Sequence, residues 1–435
     1  MKISLIWPKS TFLTNPMVYP PLGLWYIWTI LKQAGCEVVY IDTSEDLYGS
    51  IPESDYYFVS GTSPQLMEIR KILSWLQNNR RGKTVLGGSH ALTHSIDHLE
   101  NLGFDLVYKG EMNTKEDIDL IFNASPTKKL IDNPFSQDLE NLCLPTRKVA
   151  FRYKAFLEDR SGTSHPTTTL FTSRGCPEKC AFCESGAGRM WGKGVRWNPL
   201  EIVTEELEEC YELGFTGIMF YDDILPLNKP RMLKLLEVLD YYHNKDGAIW
   251  RCFLRTDILE KQGGHEYLEK MRNAGLVEVL VGVESGSDQI KKNIQKGTSI
   301  RQDTKTLEWC KKLGIKFKAS FVLGLPGETI ESMEATRKWI LANRPDRVDV
   351  NTYIPFPGTP ISSDMALKSG NYDIYIDSSH TDEKEGYQSL PETFWYKGPR
   401  DKSNCLVGTS SLAPQEIANF RNKLIQEIIE VGIPY

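Results

Sequence analysis

The sequence predicts an α/β fold with a doubly wound domain of the Rossmann or flavodoxin type at 1–125, followed by a linker at 126–166. A partial (β/α)6 barrel of the TIM type follows at 167–360, and a small C-terminal region at 361–435. Short apolar runs alternate with helix-periodic segments in both of the larger units, which is typical of parallel sheets. Three prolines among polar residues mark the linker.

The first unit is predicted to contain five strands and three helices. The strands lie at 2–7, 37–42, 56–60, 83–87 and 104–108, and the helices at 22–34, 65–79 and 93–101. Doubly wound sheets bind ligands outside the carboxyl ends of their strands. Small and hydroxyl residues follow two of these strands: Ser60, Thr62, Ser63, Gly87, Gly88 and Ser89. Glycine lets a backbone approach a ligand, but capped strand-to-helix turns are the alternative, which the composition favours.

The second unit is predicted to contain six strand–helix repeats, consistent with a partial barrel. The strands lie at 168–173, 216–221, 249–255, 278–284, 316–323 and 348–354, and the helices between them at 200–213, 229–243, 265–274, 301–313 and 329–342. In β/α barrels the chemistry lies at the carboxyl ends of the strands. The residues that follow each strand are therefore the first candidates for a site.

Three cysteines, Cys176, Cys180 and Cys183, follow the first strand of the second unit at spacings of four and three residues. No fourth cysteine follows at ligand distance, whereas a structural zinc site uses four closed ligands. A [4Fe–4S] cube normally takes four cysteine thiolates. Three thiolates therefore suggest a cube with one iron left open to bind a substrate or cofactor.

Polar residues or glycines also end the next four strands: Asp222, Asp223, Arg255, Glu284, Ser285, Gly324 and Gly327. A fold alone does not require charges repeatedly at one end of a sheet. For each residue taken singly, a salt bridge or a helix cap is the alternative. Glu328 is predicted to cap the helix that follows it, because acidic side chains favour a helix N-terminus.

The cysteine loop, Cys-x3-Cys-x-aromatic-Cys, resembles the cluster loop of the radical S-adenosylmethionine (SAM) enzymes. Segments 282–287 and 324–329 resemble two further segments of that family, and the resemblance extends nearly continuously over 1–360. The turn at 87–90 and the stretch 104–111 resemble the cobalamin-binding domain that precedes the barrel in one large subfamily. The cobalt-ligating Asp-x-His-x-x-Gly loop is absent, so the resemblance implies cobalt without a protein histidine.

The resemblance implies three cofactors and assigns residues to each. Cys176, Cys180 and Cys183 would hold a [4Fe–4S] cluster. Glu284 suits the ribose diol of SAM as an acceptor, and Arg255 suits its carboxylate. Asp222 or Asp223 would lie near the SAM amino group, with Ser285 in the same site and the backbone at Gly324 and Gly327 near the adenine. Cobalamin would lie against Ser60, Thr62, Ser63, Gly87, Gly88 and Ser89.

The implied reaction begins with reductive SAM cleavage to a 5′-deoxyadenosyl radical and ends most often in methylation of an unactivated carbon of a small molecule. An external flavodoxin- or ferredoxin-like reductant would supply the electron. The alternative is a radical SAM enzyme with another outcome, such as ring closure, oxidation or rearrangement, with or without cobalamin. A non-catalytic iron–sulfur protein would need no SAM site, and the polar strand ends disfavour it.

Composition excludes several other classes of partner. The net charge of −6 and the pI near 5.8 give no general attraction to nucleic acid. No apolar run reaches membrane-spanning length. The odd total of nine cysteines, six of them scattered, and a start without a secretory signal suggest no disulfide framework and predict the cytoplasm.

Two further features stay open at the level of sequence. His90, His94 and His98 lie at helical spacing, where a metal site is conceivable but surface or capping roles are favoured. The C-terminal region contains an acidic stretch at 377–386, an aromatic-rich stretch at 388–398 and an amphipathic helix at 413–431. In the family this region closes the barrel over the substrate, and simple packing is the equal alternative.

Overall fold

The computed structural model describes residues 1–435 except 12, 14, 19, 134, 136–138, 141, 154, 368 and 378–403. The aromatic-rich stretch at 388–398, and the acidic stretch from 378 onward, lie outside the described residues. Within the described part of the chain, no helix combines the length and the apolar character needed to cross a bilayer.

The N-terminal unit is a six-stranded parallel sheet with helices on both faces. Its strands are β1 (Lys2–Trp7), β2 (Glu37–Asp42), β3 (Tyr56–Ser60), β4 (Lys83–Gly87), β5 (Leu106–Lys109) and β6 (Leu130–Asp132). Its helices are α1 (Leu22–Gln33), α2 (Leu66–Asn79), α3 (Ser89–Thr93), α4 (Ile96–Asn101) and α5 (Lys115–Phe122). The strand order is β2-β1-β3-β4-β5-β6, the flavodoxin-like order with one strand added.

The alternation of side chains along the strands separates two cores. Phe58 of β3 packs in the core that continues into the barrel, while its neighbours Tyr57 and Val59 pack on the opposite face with α2. β1 pairs with β2 on one side and β3 on the other, so the strand order reverses at this point. Ligands of doubly wound sheets bind in the crevice at such a reversal.

Two predicted elements of this unit differ from the structure. The fifth strand begins at Leu106 rather than 104, because the Asp105 carboxylate accepts from the Thr84 N–H at 2.8 Å and takes the place of a ladder bond. The helix predicted at 93–101 is two short helices. Ser95 interrupts it, since its hydroxyl accepts from the His98 N–H at 3.4 Å and caps α4.

The second unit is an open, curled sheet in the order β15-β14-β13-β12-β11-β8-β7. The strands of this sheet are β7 (Ala155–Glu158), β8 (Ser164–Leu170), β11 (Gly217–Phe220), β12 (Ile249–Leu254), β13 (Leu276–Glu284), β14 (Lys316–Leu323) and β15 (Arg347–Thr352). A separate two-stranded ribbon consists of β9 (Ser173–Arg174) and β10 (Arg196–Trp197). From β8 to β15 the pairing is parallel, which confirms the predicted partial barrel.

Five helical connections cross between these strands. They are α6 (Leu200–Glu212), α7 (Lys229–Asp246), α8 (Thr256–Gln262) with α9 (Gly264–Asn273), α10 (Asp288–Asn293) with α11 (Ile300–Leu313), and α12 (Ile330–Asn343). The two short helices α8 and α10 were not predicted. Both begin directly after a barrel strand, where too few residues precede the next break for a helical period to show.

The segment predicted as a linker also contributes to both sheets. β6 adds the edge strand next to β5, and β7 pairs antiparallel with β8 at the barrel edge. Between them, buried Arg147 donates to the Glu206 carboxylate of α6 and to the Thr169 carbonyl, and lies 5.6 Å from the Trp25 ring of α1. This segment therefore fastens the first unit to the second.

The described part of the C-terminal region packs at the β15 side of the barrel. It contains α13 (Pro360–Leu367), β16 (Tyr375–Ile376), β17 (Val407–Gly408) and α14 (Pro414–Glu430). Ile417 of α14 and Val407 are fully buried in the main core. These residues form a packing unit, and a role in covering the substrate stays a prediction.

Candidate active site

The cysteine loop begins where β8 ends, at the carboxyl edge of the barrel. Its base is the antiparallel β9–β10 ribbon, and Arg189 ties the loop together by donating to the Cys183 carbonyl at 2.9 Å and the Cys180 carbonyl at 2.6 Å. The Ala187 N–H donates to the Glu178 carbonyl at 2.7 Å. The loop is therefore preorganised by its own backbone.

The surroundings of the thiols suit an iron–sulfur cluster. Burial raises the pKa of Cys176 to about 12 and that of Cys183 to about 11. Binding to iron requires thiolates and releases these protons. Neighbouring cations stabilise a thiolate, and the Arg255 guanidinium lies 3.5 Å from the Cys180 sulfur. Cys176 and Cys180 are buried and Cys183 is partly buried, and this set of three thiols beside a guanidinium fits a [4Fe–4S] cluster that has one open iron.

Arg255, at the end of β12, contacts three parts of the site. Its Nε and Nη2 donate to the Asp257 carboxylate at 3.1 and 3.3 Å, and Nη2 donates to the Lys296 carbonyl at 2.7 Å. Glu178 of the cysteine loop lies 3.0 Å away. These contacts make Arg255 a support of the cluster loop, so its predicted bond to a SAM carboxylate would compete with partners already present.

Glu284, at the end of β13, has a backbone conformation that L-residues rarely adopt. Its φ is +65°, and the register of β13 against β14 shifts between Gly282 and Glu284. Its carboxylate accepts from the Lys296 ammonium at 2.6 Å. Strained backbone of this kind costs about 1–3 kcal/mol and clusters at functional sites. Its position beside the loop supports the predicted contact with SAM.

Lys296 was not predicted as a site residue, and it connects the Glu284 carboxylate to the cysteine loop. Burial acts to lower its pKa, but the Glu284 carboxylate outweighs burial, and the pKa is raised. The ammonium also lies 5.8 Å from the centre of the Phe182 ring within the cysteine loop. The residue sits on a turn formed by Gln295 and Gly297, both with positive φ, a local signal that only structure reveals.

The two aspartates after β11 have different surroundings. Asp222 is buried and accepts from the Thr172 hydroxyl at 2.6 Å and the Thr172 N–H at 3.0 Å, and also from the Ser173 hydroxyl. It thereby fixes the start of the cluster loop. Asp223 lies close enough to Cys176 for its charge to raise the pKa of that thiol. Asp223 therefore stays the predicted neighbour of a SAM amino group.

The remaining predicted SAM residues lie mostly in turns. Gly324 and Gly327 have φ of +84° and +77°, so the turn after β14 requires them. The Ser285 hydroxyl accepts from the Ser287 N–H at 3.2 Å and is buried beside Thr336. The prediction that Glu328 caps α12 is wrong. Thr329 is the cap, and its hydroxyl accepts from the Ser332 N–H at 3.3 Å. Burial instead raises the pKa of Glu328 to about 7.

The residues predicted to contact cobalamin lie together at the carboxyl edge of the first sheet. The Thr62 hydroxyl and Gln65 form a reciprocal cap, while the Ser63 hydroxyl lies 3.3 Å from His90 Nδ1. A Cβ on Gly88 would lie 2.7 Å from the Gly61 carbonyl and the Ser60 hydroxyl, so these turns pack directly on each other. Ser89 begins α3 and its carbonyl accepts from Thr93.

Gly87 differs from these neighbours because it faces open space. A Cβ there would meet a single atom within 4 Å, the Tyr108 carbonyl at 4.0 Å. Its φ is not positive, so a side chain brings no backbone strain. This gap lies at the end of β4, next to β3, where the sheet can receive a ligand.

Glu111 joins the two units beside the cluster loop. Its carboxylate is buried between Arg174 at 3.2 Å and Arg196 at 2.6 Å, the two arginines of the β9–β10 ribbon. Burial acts to raise the pKa of Glu111, but the two guanidinium groups outweigh it and lower the pKa. The carboxyl edge of the first sheet is thus locked to the base of the cysteine loop.

We expect Glu111→Gln to destabilise the protein by about 3–5 kcal/mol, because it leaves two buried guanidinium groups without their carboxylate. The midpoint of urea unfolding measures the change, with Asp119→Asn, which breaks the exposed pair with Lys115, as the control without effect. Since the folded pKa of Glu111 lies below its unfolded value, the difference should be full at neutral pH and shrink as pH falls below about 4. An unchanged midpoint would show that the clamp does not support the fold.

Residues 170–340 match the family described as the Radical SAM superfamily. This part of the chain, the barrel, is therefore similar to the radical SAM family. Across 390 residues it is 27% identical to an uncharacterized methyltransferase of Pyrococcus horikoshii, a match that covers 82% of each chain. Across 389 residues it is 24% identical to an anaerobic magnesium-protoporphyrin IX monomethyl ester cyclase of Rubrivivax gelatinosus, covering 82% of this chain and 68% of that one.

The fold of the whole chain matches that of a solved radical SAM structure. This is the radical SAM methyltransferase TsrM of Kitasatospora setae, solved with cobalamin and a [4Fe–4S] cluster, at a TM-score of 0.69 and 14% identity over 98% of this chain and 88% of that one. The match confirms the predicted architecture of a doubly wound domain followed by a radical SAM barrel.

The structure brings together most of the predicted residues of the barrel edge. Cys180, Arg255 and Glu284 lie in one connected set with Lys296. Asp223 adjoins Cys176. Ser285 lies apart from this set, packed against Thr336 of α12.

Proposed function

We propose that this protein is a cobalamin-dependent radical SAM enzyme that methylates an unactivated carbon of a small-molecule substrate. The observation that carries the proposal is the three-cysteine loop at the barrel edge, which faces the carboxyl edge of a flavodoxin-like sheet. Thr93 of α3 hydrogen-bonds to Glu184 of the cysteine loop, which places the two edges in contact. The Pyrococcus horikoshii relative and TsrM, both named methyltransferases, support the reaction class.

When bound, the cluster and cobalamin would supply the electron that cleaves SAM to a 5′-deoxyadenosyl radical and the methyl group that is transferred. The chain's part is to align these groups and exclude water. Cys176, Cys180 and Cys183 would hold the cluster, while Arg255 and Lys296 offset its negative charge. Glu284 would accept from the ribose of SAM, and Asp223 would approach its amino group.

Cobalamin would lie in the crevice between the two carboxyl edges. The open space beside Gly87 gives its nucleotide end room at the end of β4, whereas Gly88 is filled by the turn after β3. Cobalt without a protein histidine stays a prediction.

We expect Gly87→Trp to weaken cobalamin binding at least tenfold, because its side chain would occupy the space assigned to the cofactor. A Cβ at this position meets no neighbour that must move, so we expect the fold and the distant cluster to be unaffected. Equilibrium binding of hydroxocobalamin, followed by absorption, measures the affinity. Gly49→Trp is the matched control, since Gly49 also has open space around it. Gly49 lies two residues before Ile51, whose carbonyl accepts from Arg80 just after the C-terminal end of α2, the end opposite to the predicted cobalamin site.

If Gly87→Trp binds cobalamin as tightly as the wild type does, the space beside Gly87 is not part of the cobalamin site. A wild-type protein that binds no cobalamin would instead favour the second candidate. That candidate is a radical SAM enzyme of another outcome, and the Rubrivivax gelatinosus relative, named a cyclase, supports ring closure as its reaction.

The electron would come from an external flavodoxin- or ferredoxin-like protein, because the cluster must itself be reduced before it can give an electron to SAM. All nine cysteines are free thiols, which fits a reducing compartment such as the cytoplasm.

A further inference from the structure

Three histidines beside the cobalamin crevice form a cluster that the proposed reaction does not use. His90 and His94 of the α3 segment are buried, with 0% and 1% of their surface exposed, and His98 of α4 is partly exposed. One ring nitrogen from each lies within 4.8 Å of the other two. The ring centres of His90 and His94 are 3.9 Å apart.

Hydrogen-bond contacts engage the Nδ1 atoms of His90 and His94 and leave their Nε2 atoms as the candidate ligands. His94 Nδ1 lies 2.9 Å from the His90 carbonyl, which fixes Nδ1 as the protonated nitrogen. Its Nε2 is then a buried acceptor, and it has no hydrogen-bond partner among the described residues. A buried acceptor that is left unpaired destabilises the folded protein. A cation at this point would remove that destabilisation.

His90 and His98 supply the other two donors. Their Nε2 atoms are 3.2 Å apart, close to the separation of roughly 3.3 Å that two nitrogens 2.0–2.1 Å from a tetrahedral zinc ion would have. His90 Nδ1 contacts the Ser63 hydroxyl at 3.3 Å. Metal-bound histidines characteristically use their second nitrogen for such an outer contact.

We propose that His90, His94 and His98 bind one divalent transition-metal ion, zinc by its preference for nitrogen ligands and tetrahedral geometry. A water molecule can complete the tetrahedron on the side of partly exposed His98. All three ligands come from nine residues that span the break between α3 and α4, so the ion would stiffen this segment. Thr93 in the same segment contacts Glu184 of the cysteine loop, and the ion would thereby steady the boundary between the two units.

The test uses the full-length chain with Cys176, Cys180 and Cys183 replaced by alanine, so that the cysteine loop cannot bind zinc. Dialysis against buffered Zn²⁺, followed by elemental analysis, should give one zinc per chain. Adding His98→Gln should weaken binding at least about tenfold, since even outer contacts of a metal site change affinity by 10–100-fold. His265→Gln, on α9, is the control and should bind as the parent does.

Two further readouts distinguish a metal site from a packed histidine cluster. Zinc should raise the thermal unfolding temperature of the parent and leave that of the His98→Gln variant unchanged. Co²⁺ should give the visible absorption of tetrahedral coordination in the parent alone. His98 is partly exposed, so its replacement is not expected to prevent folding. A parent that takes up no zinc, or a His98→Gln variant with equal affinity, would overturn the proposal.

Discussion

Replacing Cys176, Cys180 and Cys183 together with alanine should abolish both cluster iron and SAM cleavage. The loop that Arg189 closes contains these three cysteines and no other. Iron and sulfide analysis after anaerobic reconstitution, together with the yield of 5′-deoxyadenosine, measures the effect. We expect the loss to be complete, because a cube cannot be retained without its thiolates.

The matched control replaces three cysteines that lie outside the loop, Cys36, Cys143 and Cys310, with alanine. All three are free thiols at scattered positions. This variant should keep the wild-type iron content and SAM cleavage. A full cube in the loop variant would show that other residues hold the cluster.

The second large effect concerns Glu284. We expect Glu284→Gln to keep its cluster and to bind SAM at least tenfold more weakly, a change of about 1.4 kcal/mol, the scale of one lost charge-assisted hydrogen bond. Glutamine keeps the size of the side chain at φ +65° but removes the charge that Lys296 neutralises. Equilibrium dialysis of SAM against the cluster-loaded protein gives the affinity.

Asp349→Asn controls for the loss of a charge within the barrel. Asp349 pairs with Lys318 at 2.8 Å, away from the cysteine loop, and its replacement should leave SAM affinity unchanged. Equal affinity of Glu284→Gln and the wild type would remove Glu284 from the SAM site.

Much of the fold could be predicted because it depends on local patterns. Parallel strands buried on both faces show as short apolar runs, and the order of runs and helices defines both sheets. The effects of Ser95 and Asp105 on the element boundaries could not be predicted from the sequence. Their side chains replace backbone hydrogen-bond partners that only the folded chain defines. β6 was missed because a three-residue edge strand carries no detectable period.

The site was predictable where the spacing of residues along the chain itself carries the chemistry. The three cysteines are local in sequence, and their loop follows a strand as expected. Lys296 was not predictable, because it reaches Glu284 from a turn twelve residues later. Asp222 was assigned with Asp223 to SAM, and only the folded chain shows its carboxylate taken by Thr172 and Ser173.

The most direct test combines all three cofactors in one reaction. The full-length protein would be purified without oxygen, its cluster reconstituted, hydroxocobalamin added and the excess removed, and SAM supplied with a reductant. We expect a stable cobalamin absorption spectrum on the protein together with conversion of SAM to 5′-deoxyadenosine and methionine. A protein that carries a complete cluster but neither retains cobalamin nor cleaves SAM would contradict the account.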